Sequence, residues 1–69
     1  MIDILHIDST HEAACAFEEW KLYRPKLADS AVVVVDDLDH NDMMDFWNLI
    51  YGQKEVVYGG RIGILRYKR

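Results

Sequence analysis

Ala31-Val32-Val33-Val34-Val35-Asp36-Asp37 is the clearest strand signal in the chain. Four consecutive valines lose side-chain rotamer freedom in a helix. A near-continuous apolar run suits a strand covered on both faces, as in a parallel sheet. The run stops at two carboxylates, Asp36 and Asp37. A strand of the same character opens the chain, where Ile2, Ile4, Leu5 and Ile7 make a mostly apolar run ending at Asp8-Ser9-Thr10. Between the two, Ala13, Ala16, Phe17, Trp20, Tyr23 and Leu27 recur at spacings of three and four, one face of an amphipathic helix. Ser9 and Glu12 have the spacing of a capping box at its start, and Pro25 disfavours helical geometry at Arg24, so the helix ends or kinks there. Asp29-Ser30 reads as the turn into the valine strand.

Downstream, the apolar residues Met43, Met44, Phe46, Trp47, Leu49, Ile50 and Tyr51 predict a second helix from about Asn41 to Tyr51, stopped near Gly52. Val56, Val57 and Tyr58 predict a third strand, Gly59-Gly60 a two-residue turn, and Ile62, Ile64, Leu65 and Tyr67 a fourth strand. The order β-α-β-α-β-β predicts an α/β domain spanning residues 1–69. Its first two strands run parallel through a right-handed crossover, and it ends in an antiparallel hairpin.

Composition narrows the function. With 69 residues, 51% of them hydrophobic, the chain is too apolar for disorder. Twelve acidic against eight basic side chains leave a net charge of -4, which argues against a grip on nucleic acid. Four of the basic residues fall in the last nine positions, as on a solvated strand end. No apolar run reaches the roughly 18 residues of a membrane span. Asp3, His6 and Asp8 interrupt any secretory segment, and Cys15 stands alone, so a cytoplasmic location is expected. Ordering each residue costs roughly 1.5 kcal/mol, and a core this small without disulfide or metal staples points to surface shared with a partner.

In open α/β sheets the functional crevice lies outside the carboxyl ends of the parallel strands. Asp8 ends the first strand, and Asp36 and Asp37 end the second. If the strands are neighbours, three carboxylates meet at one rim, an oxygen-rich setting for Mg²⁺ or another divalent cation. His11 follows Asp8 on the same rim, and an imidazole that titrates near neutrality suits a general base. The plainer reading is that such acids cap helices, and that the five aspartates between positions 36 and 45 form a solvated loop. Asp37-Leu38-Asp39 has the spacing of a phosphatase nucleophile loop but lacks the later Lys and acidic pair. Asp37 to Asn48 imitates a calcium loop but has Asp42 in place of the turn glycine.

The segment Ile2 to His11, a hydrophobic strand followed by Asp8 and then His11, resembles class I S-adenosylmethionine-dependent methyltransferases. The group of macrocin O-methyltransferase-like and cephalosporin-hydroxylase-like proteins is the nearest in pattern. The likeness continues through Trp20, Leu27, Val32–Asp37, the aromatic helix and the closing hairpin, and covers the C-terminal half of that family's domain. It implies a half Rossmann-like sheet in the order first, second, fourth, third. It also implies metal-binding roles for Asp8, Asp36 and Asp37, and an active-site role for His11. Ser9 stands where the family often has Gly, and Asp29-Ser30-Ala31 where it usually has Pro-Gly-Gly. The glycine-rich cofactor turn has no counterpart in these residues, so S-adenosylmethionine is expected to bind only if a cofactor-binding half is supplied.

Two functions follow as expectations. One is a methyltransferase-like C-terminal part that contributes a metal and acid rim to O-methyl transfer. The other is a non-catalytic interaction module, a homodimer formed through the edge of its first strand. A third reading, a phosphate-ester enzyme using Asp37 and Asp39, is weakened by the missing Lys.

Overall fold

The computed structural model describes residues 1–8 and 12–68. Its elements are β1 (Ile2–Ile7), α1 (Ala13–Tyr23), a 3₁₀ turn (Arg24–Lys26), β2 (Leu27–Val35), α2 (Met43–Leu49), β3 (Gln53–Val57) and β4 (Ile62–Lys68). They build one mixed sheet in the order β1-β2-β4-β3. β1 runs parallel to β2, and β4 runs antiparallel to both β2 and β3.

The pairing register shows how the sheet is covered. Residues opposite one another in paired strands project from the same face. One face carries Ile7, Val35 and Gly63 at one level, Leu5, Val33 and Leu65 at the next, and Ala31 and Tyr67 beyond. Both helices pack there. The Trp20 ring meets the Tyr67 ring edge-on at 6.0 Å, Trp47 lies against Gly63, and the two helices touch through Phe17 and Phe46. Ile7, Val33, Val35, Phe46 and Leu65 are completely buried in the core between the layers.

Among the described residues, helices cover one face of the valine strand only. Val33 and Val35 are buried, while Val32 and Val34 are only half-buried on the side that no helix covers. The second face is itself apolar at Val32 and Val34. β1 is a sheet edge, and Ile4 is 70% exposed.

The local boundaries also shift for physical reasons. Pro25 closes α1 through the 3₁₀ turn, as Pro25 and Arg24 imply, but the chain becomes extended at once. Leu27 is buried and pairs with Ile2, so Asp29 and Ser30 lie inside β2 instead of forming a turn. A register shift between Ile2 and Ile4 absorbs the extra length of β2. Glu12 is the N-cap of α1 and makes no side-chain cap bond. The Ala13 N–H donates instead to Asp42 Oδ1 at 2.8 Å, so an acid from the loop before α2 caps the first helix. Ser9, the other member of the expected capping box, lies outside the described residues. α2 is shorter than expected at both ends. The β3–β4 connection is a four-residue turn, with Tyr58, Gly59 and Gly60 all at positive φ and the Arg61 N–H donating to the Val57 carbonyl.

Candidate functional site

The carboxyl ends of β1 and β2 lie side by side. The Asp36 N–H donates to the Ile7 carbonyl at 3.1 Å, which carries the β1–β2 pairing one residue past the valine strand. That bond brings Asp8 and Asp36 to a common rim. Asp8 and Asp36 each stand one residue beyond a core-facing position, Ile7 and Val35, so both belong to the uncovered face. His6, two residues before Asp8, shares this face and pairs in register with Val34. His6, Asp8 and Asp36 each offer one ligand atom, and these atoms lie within 4.8 Å of one another.

Asp37 takes a different direction. Its backbone turns into the left-handed region at φ 56°, a conformation that Asp and Asn tolerate better than most residues. Its N–H donates to Asp36 Oδ1 at 2.8 Å, and its own carboxylate faces Arg61 Nε at 3.7 Å and His40 Nε2 at 3.9 Å. Ligand atoms of Asp37, Asp39 and His40 fall within 4.8 Å of one another, a group separate from the first. The Leu38 N–H donates to the Arg61 carbonyl at 2.8 Å, so this group ties the loop after β2 to the β3–β4 turn. Arg61 is well exposed, and its ion pair adds little stability.

Of the residues that the sequence proposes for the rim, Asp8 and Asp36 therefore come together, and Asp37 groups with Asp39 and His40. His11 lies outside the described residues. His6 is the member that motif reading passes over, since it sits inside a strand instead of at its end. The usable signal was its spacing of two from Asp8, which on a strand places both side chains on one face.

The donor set has definite chemistry. Two carboxylates and an imidazole suit first-row divalent ions such as Mn²⁺, Fe²⁺ or Zn²⁺, whereas Mg²⁺ favours oxygen donors alone. No glycine precedes Gly52, and Gly59-Gly60 lies in the turn between two strands instead of opening a helix. Two broad concavities, of about 670 and 620 Å³, lie at the opposite end of the sheet, where Ser30, Arg66 and Lys68 border the first and Trp20 and Tyr67 the second. No helix of the described residues is long and apolar enough to cross a membrane.

A family model described as a methyltransferase domain matches residues 1–38. The match spans β1, α1 and β2 and ends just past Asp36 and Asp37, so it includes the rim. No curated protein and no solved structure matches the chain. With more than half of its 69 residues inside that match, and the matched strands paired in parallel with their acids at one rim, the chain belongs to the methyltransferase-domain family.

Proposed function

We propose that the chain forms the carboxyl-terminal part of a methyltransferase-like site, with its rim acids serving an O-methyl transfer. The observation that carries this reading is the meeting of His6, Asp8 and Asp36 at the carboxyl ends of two parallel strands within the family-matched segment. Asp8 and Asp36 would hold a divalent cation, with His6 as the third ligand in the place that the sequence pattern gives to Asp37. Such a cation, when bound, polarises an acceptor oxygen and lowers the cost of deprotonating it. Asp36 is held in place by its backbone bond to Ile7 and by the Asp37 N–H on its carboxylate. His11 is proposed as the base that takes the acceptor proton. The cofactor-binding half is proposed to come from segments outside these residues or from a second polypeptide.

Calorimetric titration with Mn²⁺ and Mg²⁺ tests the rim. The wild-type chain is expected to bind Mn²⁺ more tightly than Mg²⁺. Asp36→Asn and His6→Ala should each weaken Mn²⁺ binding by at least about tenfold, a loss typical of a removed ligand or its support. Asp37→Asn should leave binding unchanged. Absence of heat at millimolar Mn²⁺ would overturn the reading, and so would equal losses from Asp36→Asn and Asp37→Asn.

A second reading, a non-catalytic module that associates through the β1 edge, is favoured by one observation. β1 is an unpaired edge among the described residues, and its Ile4 is largely exposed. Its test is whether a dimer persists in Asp36→Asn and His6→Ala.

A further inference from the structure

Charge is sorted along the strands. Five of the eight Lys and Arg residues, Lys21, Arg24, Lys26, Arg66 and Lys68, lie in the half of the body that holds the amino ends of β1 and β2. The acids Asp8, Asp36, Asp37, Asp39 and Asp42 lie at the rim or in the loop beyond it. At the basic end, on the side that the helices cover, a groove of about 620 Å³ opens between α1, the 3₁₀ turn, the end of α2 and the end of β4. Sites that take a ligand typically measure about 300–1,000 Å³. Apolar residues line the groove at two depths: Trp20 and Ile50 are buried, whereas Leu49 is 54% and Tyr51 86% exposed. Lys21, Arg24 and Lys68 also line it, and none of its lining residues is acidic. Lys21 shares an exposed pair with Glu18 at 3.1 Å, which holds it weakly. Arg24 and Lys68 form no ion pair with a carboxylate among the described residues.

We infer that this groove docks an acidic segment of a partner protein. The segment seats a large apolar side chain among Trp20, Leu49 and Tyr67, and sets its carboxylates against Arg24 and Lys68. Burial of Leu49 and Tyr51 supplies the apolar share of the binding, and the three cations select the sign of the partner. The acidic rim repels the same segment, so the sorted charge steers it to one end of the molecule. A nucleic acid fits less well. In a chain of net charge -4 the positive field is local, and a long polyphosphate would also run past the acids. Trp20 is 7% exposed and meets Tyr67 edge-on at 6.0 Å, so its ring offers no open face on which a base can stack. No residue of β1 lines the groove, and a partner seated there leaves His6, Asp8 and Asp36 open. The inference does not depend on a cation at the rim.

Fluorescence anisotropy with a dye-labelled peptide of glutamates around a Leu-Phe pair reads the docking. A dissociation constant below about 100 μM at low salt is expected, rising with ionic strength. Arg24→Glu, Lys68→Glu and Leu49→Asp, all at exposed positions, should each raise it about fivefold or more. Arg61→Glu makes the same change of charge near the rim and should shift it less than about twofold, as should Asp36→Asn. Because any basic patch attracts carboxylates, a peptide with Ala in place of Leu-Phe supplies a second test. It should bind about tenfold more weakly. No binding at about 1 mM peptide would overturn the inference. Equal losses from Arg24→Glu and Arg61→Glu would remove the groove as the place of docking, and equal affinity for the Ala peptide would remove the apolar anchor. Tighter binding of dye-labelled oligouridylate than of the peptide would overturn a protein partner in favour of single-stranded nucleic acid.

Discussion

Gly63 sits under Trp47 of α2 and Leu38, and replacing it with alanine tests that packing. It pairs with Val35 on one side and Val56 on the other, one residue before the level of the rim. A Cβ at this position would stand 2.7 Å from Trp47 Cη2, 2.8 Å from Leu38 Cδ1 and 2.9 Å from Trp47 Cζ2. Ordinary carbon contacts lie at about 3.5–4.0 Å, so the methyl group arrives about 1 Å too close to two side chains. Neither can yield into solvent, since Trp47 is 3% exposed and Leu38 1%. The Trp47 ring is also held from outside, with the Lys54 ammonium 5.4 Å from its centre and donating to the Trp47 carbonyl at 3.0 Å. Overpacking of this kind costs about 1–3 kcal/mol. Losing a glycine from the unfolded chain returns about 0.4–1 kcal/mol. The net expectation is a loss of about 1–2 kcal/mol, from a total that for this length is roughly 3–10 kcal/mol.

Urea unfolding followed by tryptophan fluorescence measures this. With a slope of about 1 kcal/mol per molar, the midpoint should fall by about 1–2 M. Trp47→Phe removes both indole atoms that crowd the new methyl, so the double variant should be more stable than the two single effects predict. The expected coupling is about 1 kcal/mol. A Gly63→Ala chain as stable as wild type would refute the close approach of α2 to the sheet, and strict additivity with Trp47→Phe would refute Trp47 as its cause.

Three further outcomes follow from the same structure. Val33→Ala, in the core, should cost about 2–3 kcal/mol, whereas Val34→Ala should cost less than about 1 kcal/mol; similar losses would mean that both faces are covered. Asp42→Ala should remove the cap on the Ala13 N–H and lower stability by about 1 kcal/mol, read as a shifted thermal midpoint with the α1 amides exchanging faster. At Asp37, Asn keeps a residue that tolerates positive φ and should change stability by less than about 0.5 kcal/mol, while Val should cost about 2 kcal/mol; equal effects in a denaturation series would remove backbone conformation as the reason for Asp37.

Much of the fold was legible because its signals are local. Pro25 ends α1, the β-branched runs form β1 and β2, and glycines mark the hairpin. What local pattern could not show was which segment supplies a contact from far along the chain. The cap on α1 comes from Asp42, 29 residues away, and no spacing rule near Ser9 and Glu12 points there. The start of β2 at Leu27 was hidden for a similar reason. Asp29 and Ser30 are turn-forming residues by local preference, but Leu27 gains full burial by pairing beside Ile2, and Ser30 pairs with Lys68. Burial and the added ladder outweigh the weak turn preference of two polar residues.

The site was legible to the extent that strand alternation was applied. A continuous apolar strand has two explanations: two covered faces, or one covered face and one that meets something else. Val32 and Val34 face away from both helices, and the same alternation in β1 puts His6 and Asp8 on that side. Asp37 falls out of the group for the complementary reason. It comes one residue after Asp36 and turns through positive φ, so its carboxylate is directed to His40 and Arg61 instead of the rim. Three acids in sequence after two strands thus divide into two that share a face with a histidine and one that fastens a loop. The period of two that separates them also sets the apolar centre of the open face between the rim and the basic pair Arg66 and Lys68. A single alternation, read along β1 and β2 together, therefore places the candidate metal ligands on the same face as Val32 and Val34.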